Sequence, residues 1–257
     1  MPHVDNRISG RLALITGASG GIGAAVSRDL WAEGCSLALT GLSKFQAVED
    51  LARELLAKRT QENQKVTAYQ IDTGESAALE QLFENVKRDH GHGPDILVSN
   101  AGYGKRLPGI LDVSLEEFDH TININLRASF ILSKLSIAHM ETQRWGRIVF
   151  VSSIAAMGGG INACHYAASK AGLSGMMRNL AAKHAQSGIT VNDVAPAMIG
   201  DTGMIPDAKF VEGTPGDVKN IPVGRLGTPE ECAGVVTMIC KTGYLTGQSI
   251  LLSGGLK

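Results

Sequence analysis

Short apolar runs alternate along this chain with stretches in which apolar residues recur every three or four positions. The runs are Arg11 to Thr16, Ser36 to Thr40, Val66 to Ile71, Ile96 to Ser99, Ile148 to Val151, Ile189 to Val194 and Ser249 to Leu252. Segments this short, with so few polar interruptions, fit parallel strands buried on both faces. Helical spacing follows the first three: Ile22, Val26 and Leu30; Phe45, Val48, Leu51 and Leu55; Leu79, Leu82, Phe83 and Val86. Two later helices announce their own starts. Ser114-Leu-Glu-Glu117 has the spacing of a capping box, and Thr228-Pro-Glu-Glu231 places threonine at the cap, proline at the first helical position and glutamate at the third. Strands alternating with helices of this length predict a single α/β domain over residues 1–257: a doubly wound parallel sheet of about seven strands, with helices on both faces and right-handed crossovers.

One stretch breaks the rhythm. Residues 197–227 are rich in Gly, Pro and Asp and weak in periodicity, and a loop that long inside a compact domain is usually functional. It is expected to be a substrate lid, with Met198, Ile199, Met204, Ile205 and Phe210 as lining for a partly apolar substrate or as packing against the core.

Composition narrows the partners. The formal net charge is −1, the isoelectric point is near 6.7 and no long Lys/Arg run occurs, which argues against nucleic acid or an anionic membrane as partner. No apolar stretch nears the ~18 residues of a membrane span, and the first residues lack the charge-then-apolar pattern of a secretory signal. The four cysteines, Cys35, Cys164, Cys232 and Cys240, form no CxxC pair, and no His/Cys cluster has zinc spacing. A reducing, cytoplasmic setting and no required metal are the expectations.

The first strand feeds directly into Gly17-Ala-Ser-Gly-Gly-Ile-Gly23. A glycine turn between strand and helix gathers free backbone N–H groups and the positive end of a helix dipole at one point, where a phosphate binds. With glycines at 17, 21 and 23, the turn matches neither G-x-G-x-x-G nor a Walker loop. NAD-binding folds of this Rossmann type carry an acid roughly 20 residues past the glycines to hold the adenosine ribose. Here nothing acidic lies between Glu33 and Glu49; Gly41 stands near that position, followed by Leu42, Ser43 and Lys44. The Ser43 hydroxyl and Lys44 ammonium suit a 2′-phosphate, which favours NADPH/NADP+.

Chemistry is suggested by Ser153, Tyr166 and Lys170. Tyr166 and Lys170 are four residues apart and share one face of a helix. A phenol's reference pKa of ~10 is too high for acid–base work near neutrality, and a fixed neighbouring cation lowers it. Ser153 follows the fifth strand and reaches the same place. His165 points roughly 100° away from Tyr166 on a helix and is expected to be structural; nothing marks Cys164 as a reactive thiolate.

Taken together, these motifs resemble the classical short-chain dehydrogenase/reductase family over nearly the whole chain, Leu12 to Gly255. Thr16 to Gly23, including Ser19 and Ile22, matches its cofactor turn. Asp72 stands where the family's acid contacts the adenine amine. Ser99-Asn100-Ala101-Gly102 resembles its N-N-A-G motif with serine first, and Asn125 matches its active-site asparagine. The resemblance implies a tetrad of Asn125, Ser153, Tyr166 and Lys170. Tyr166 would donate the proton, Lys170 would lower its pKa and bind the nicotinamide ribose, Ser153 would polarise the carbonyl, and Asn125 would hold a water linking Lys170 to solvent. Two departures occur. Pro196 is followed by Ala197 where the family writes glycine, and the threonine expected near the nicotinamide carboxamide, beyond Ile199, matches Thr202 only with one extra residue.

Within the family the sequence is most similar to 3-oxoacyl-[acyl-carrier-protein] reductases and related carbonyl reductases. This implies a ketone or acyl-thioester substrate, which Arg127 and the Lys105-Arg106 pair could meet through an anionic group. It also implies a homotetramer packed through the helices bearing Asn125 and Tyr166, with Ala167, Ala171, Gly172 and Gly175 allowing close approach. An NAD(H)-linked alcohol or polyol dehydrogenase, or a dinucleotide-binding scaffold without turnover, are the alternatives.

Overall fold

The computed structural model describes residues 5–158 and 160–256. Seven strands form one sheet: β1 (Leu12–Ile15), β2 (Ser36–Gly41), β3 (Val66–Gln70), β4 (Ile96–Ser99), β5 (Gly146–Val151), β6 (Ile189–Pro196) and β7 (Ser249–Leu252). All pair in parallel, in the order β3-β2-β1-β4-β5-β6-β7. The helices are α1 (Gly21–Ala32), α2 (Phe45–Ala57), α3 (Ser76–His90), α4 (Leu115–Ile122), α5 (Ala128–Gln143), α6 (Cys164–His184) and α7 (Pro229–Cys240).

Strand residues point alternately to the two faces, and the core divides accordingly. Ala13 and Ile15 join the layer formed with α1, α2 and α7, while Leu12 and Leu14 join the layer formed with α3, α5 and α6. That double coverage is why the strands read as continuous apolar runs. The strand order reverses between β1 and β4, so the carboxyl ends of these two parallel strands open a crevice.

Helix starts follow the capping signals with one correction. At α7 the full box forms between Thr228 and Glu231. At α4 only half does: Ser114 Oγ accepts from the Glu117 N–H, but the Glu117 carboxylate accepts from Lys105 Nζ at 3.0 Å and Tyr103 Oη at 3.4 Å instead of turning back. Gly172 also departs from expectation. A Cβ there would lie 2.7 Å from Leu126 Cδ2, so its missing side chain admits a residue of the same chain. Ala171 and Gly175 are exposed. No described helix is long and apolar enough to cross a membrane.

Candidate active site

A cleft of about 480 Å³ lies at the carboxyl edge of the sheet. The turn after β1 contributes Gly17, Ser19, Gly21 and Ile22; the end of β4 contributes Asn100, Ala101 and Gly102. Ser153 enters from the end of β5, Tyr166 and Lys170 from α6, and Pro196, Ile199 and Thr202 from the end of β6 and the segment beyond. Residues separated by up to 193 positions in sequence, Gly17 to Phe210, thus share one cavity.

The turn after β1 is crowded on one side and open on the other. A Cβ on Gly23 would sit 2.3 Å from Gly17 O, so only glycine lets α1 start this close to the strand. Gly17 and Gly21 have φ of +68° and +53°, the left-handed region that side chains disfavour. Nothing lies within 4 Å of a Cβ on Gly20, and no side chain caps α1, so the first N–H groups of that helix are free to meet an anion.

Thr16 and Asn100 hold this turn against β4. Thr16 Oγ1 accepts from the backbone N–H groups of Asn100 (3.0 Å) and Ala101 (2.9 Å). Asn100 Nδ2 donates back to Thr16 O (2.9 Å) and Gly17 O (3.1 Å). Thr16 is fully buried; it opens the stretch matched to the cofactor turn, but its part as a double acceptor clamping β4 was not among the expected roles.

Asn125 lies in a single π-helical turn, residues 123–127, between α4 and α5. The extra residue in that turn leaves its side chain pointing inward, 1% exposed. Oδ1 accepts from Tyr103 N (2.8 Å), and Nδ2 donates to Tyr103 O (2.9 Å) and Ser169 Oγ (3.0 Å). A Cβ on Gly102 would be 3.4 Å from both Asn125 Oδ1 and Lys170 Nζ, which places these two atoms at one side of the cleft.

Tyr166 and Lys170 are 6% and 3% exposed. Lys170 Nζ donates to Val151 O at 2.9 Å and lies 5.7 Å from the Tyr166 ring centroid. Burial pushes the lysine down to about 8, opposed by the Asp193 carboxylate. Burial also pushes the Tyr166 phenol up to about 12, with the Ser153 hydroxyl pulling the other way. The expectation that Lys170 lowers the phenol is therefore not met in the folded chain, because desolvation dominates and the ammonium is spent on a backbone carbonyl. Ser153 caps a 3₁₀ turn, its Oγ accepting from Ala155 N at 3.2 Å.

Residues 197–227 pack as an excursion with their own apolar cluster of Met198, Ile205, Val211 and Ile221. Met198, Ile199, Met204, Ile205 and Phe210 all line the cleft. Ala197 carries no left-handed strain; the positive φ falls on Met198 (+52°) and Asp201 (+54°). Thr202 sits beside the glycine turn, its methyl 3.1 Å from where a Gly21 Cβ would be. Its Oγ1 donates to Ile199 O and accepts from Ile205 N, so the hydroxyl braces the loop. Arg106 crosses from the β4–α4 loop to this segment: both terminal nitrogens donate to Phe210 O at 3.2 Å, and the guanidinium stacks 4.6 Å over the Phe210 ring.

Some candidates lie elsewhere. Ser43 and Lys44 are exposed at the start of α2 and outside the cleft lining, although Gly41 brings the end of β2 beside Ser19. Asp72 Oδ1 accepts from Gly74 N. Lys105 is paired with Glu117, and Arg127 donates to Ser76 Oγ and Asn123 Oδ1, so neither faces the cleft as a free cation. His165 is fully buried with Nε2 3.9 Å from Glu117 Oε1.

The short chain dehydrogenase profile matches residues 11–209. The chain belongs to that family. It is 37% identical over 251 residues to the 3-oxoacyl-[acyl-carrier-protein] reductase FabG of Rickettsia bellii, covering 97% of this chain and 98% of the relative. To the (3R)-3-hydroxyacyl-CoA dehydrogenase of Rattus norvegicus it is 34% identical over 261 residues, covering 97% of each. Among solved structures it is similar to a blue fluorescent protein from a metagenomic library in complex with NADPH, with a TM-score of 0.86 and 33% identity over 97% of this chain and 99% of that one. The protein is a family oxidoreductase with the Rossmann-type fold.

Proposed function

We propose that the protein is a cytoplasmic NADPH-dependent ketoreductase that converts a ketone or 3-oxoacyl carbonyl to a secondary alcohol, in a single domain whose lid is residues 197–227. The observation that carries the reading is the pair Tyr166 and Lys170, buried beside Ser153 in the cleft that also contains the glycine turn.

The cradle suits a dinucleotide, since the uncapped start of α1 and the open face at Gly20 leave room for a pyrophosphate. Gly17, Ser19, Gly21, Ile22 and Gly23 would hold it, flanked by Asn100, Ala101 and Gly102. Asp72 would take the adenine amine, Ser43 and Lys44 the 2′-phosphate, and Pro196, Ile199 and Thr202 the carboxamide. When bound, the reduced cofactor supplies the hydride for the carbonyl carbon. Tyr166 Oη delivers the proton to the carbonyl oxygen, and Ser153 Oγ donates a hydrogen bond that strengthens as that oxygen gains charge. A phenol near 12 is a weak acid at neutral pH, so Lys170, together with the nicotinamide ribose it would hold, would have to bring it down. Asn125, anchored through Tyr103, keeps the solvent side of Lys170 ordered for return of the proton.

Absence of an acid from Gly41 to Lys44 supports NADPH over NADH. The acyl relatives and the apolar lid side chains support an acyl or similarly apolar ketone. Four free cysteines fit a reducing compartment. Exposed Phe130, Ala171 and Gly175 on α5 and α6 fit a homotetramer packed through those helices. The test is kcat/KM for a 3-oxo ester with each cofactor. NADPH should be preferred by at least about tenfold, the worth of one charge-assisted contact to the 2′-phosphate. A preference for NADH would replace this reading with an NAD(H)-linked alcohol or polyol dehydrogenase, and no turnover with either would favour a binding scaffold.

A further inference from the structure

Asp193 is an acid in β6, a strand paired on both sides, and is fully buried and unused by the chemistry above. Three hydroxyls from three elements reach it. Ser152 Oγ and Ser249 Oγ donate to Oδ1 at 2.7 and 2.6 Å, and Ser174 Oγ donates to Oδ2 at 3.3 Å. A buried carboxylate held only by neutral donors needs a positive charge nearby to offset its desolvation. Lys170, one helical turn before Ser174 on α6, is also buried and has only a neutral carbonyl as hydrogen-bond acceptor. The two charges are complementary.

Geometry joins them again through the backbone. Ser152 stands between Val151, whose carbonyl holds Lys170, and Ser153 of the tetrad. Its N–H donates to Val194 O at 2.8 Å, and its hydroxyl is tied to Asp193. Three consecutive residues at the end of β5 are thus fixed at their middle by this carboxylate.

We propose that Asp193 is a positioning residue: through Ser152 it fixes the strand end that carries Ser153 and the acceptor of Lys170, and through Ser174 it sets a carboxylate one helical turn from that lysine. The inference rests on the ketoreductase reading for its kinetic consequence, although not for the state of the lysine. Lys170 Nζ lies beside the Tyr166 ring on its own helix and on the same side of the cleft as neutral Asn125 of the π turn, while Asp193 on β6 meets the next turn of α6 at Ser174; Glu117 of α4 is engaged with Lys105 and Tyr103. Asp193 is accordingly the carboxylate that opposes the effect of burial on the lysine.

Asp193→Asn keeps shape and removes the charge, and Asp193→Glu keeps the charge. Lys170 is observed directly by NMR of protein labelled with ¹³C-lysine, assigned with Lys170→Met, and the pH profile of ketone reduction is measured beside it. In Asp193→Asn the lysine midpoint should fall by about one pH unit, as loss of a nearby opposite charge requires, and the alkaline limb of the profile should move down with it. Asp193→Glu should restore much of both. If the asparagine variant does not fold, Asp193→Thr, a neutral strand former, reports the same loss of charge. A folded neutral variant with unchanged lysine midpoint and alkaline limb overturns the proposal. Failure of every ketone to react would instead overturn the ketoreductase reading, and the NMR titration would still decide the role of Asp193.

Discussion

Replacing Thr16 by valine tests how the glycine turn is held. Valine nearly matches threonine in shape, so the fully buried site keeps its packing and loses one acceptor. That acceptor serves two backbone donors, Asn100 N at 3.0 Å and Ala101 N at 2.9 Å. An orphaned buried donor costs about 1–3 kcal/mol, and since both residues are half-buried the sum falls toward the low end, about 2–4 kcal/mol. For a chain of this size, at about 2 °C per kcal/mol, Tm drops by about 4–8 °C. The effect travels further, because the same peptide units carry the Asn100 side chain that holds Thr16 O and Gly17 O. NADPH affinity should therefore fall by about tenfold, the equivalent of one of those bonds. Thermal melts at a fixed protein concentration and titration of NADPH fluorescence measure both, and Thr16→Ser, which keeps the acceptor, should recover most of each loss. Unchanged Tm and unchanged NADPH affinity in Thr16→Val would refute the clamp.

Gly23→Ala places a methyl 2.3 Å from Gly17 O and 2.7 Å from Asn100 Nδ2, so the turn must open; NADPH binding by fluorescence should weaken by more than about 100-fold while circular dichroism stays native. A variant that binds NADPH normally would mean that the turn is not the cofactor cradle. Arg106→Ala removes two bonds to Phe210 O and the stack on its ring, and amide exchange in residues 208–211 should quicken by about tenfold, with a lower kcat/KM. Equal exchange in the two proteins would show that Arg106 does not hold residues 208–211 in place.

How far the sequence carries depends on the kind of feature. Strands buried on both faces leave continuous apolar runs, so all seven were legible, and their ends were displaced by no more than two residues. Glycines demanded by close approach, as at Gly23, leave a letter that few other contexts require. The pocket members Ser153, Tyr166 and Lys170 were legible because their spacing and element agree. The clamp made by Thr16 was not, although the residue opens the motif matched to the cofactor turn, nor was the role of Asp193, since both depend on partners 84 and 41 residues away that only the sheet register brings into reach. Glu117 was misread for a related reason: helix-cap spacing is local, whereas Lys105 and Tyr103 compete for its carboxylate from another loop. The phenol of Tyr166 was expected to move down because a helix places Lys170 one turn away, yet burial, which spacing does not encode, moved it up.

The most direct test of the proposed chemistry is NADPH oxidation with a 3-oxo ester by the unmodified protein and by Tyr166→Phe, with NADPH affinity measured in both. Removing the hydroxyl leaves the ring and its packing, so cofactor affinity should change little while kcat falls by about 10²–10⁴, the usual worth of a positioned proton donor. Ketone reduction by Tyr166→Phe at the rate of the unmodified protein would contradict the assignment of Tyr166 as proton donor.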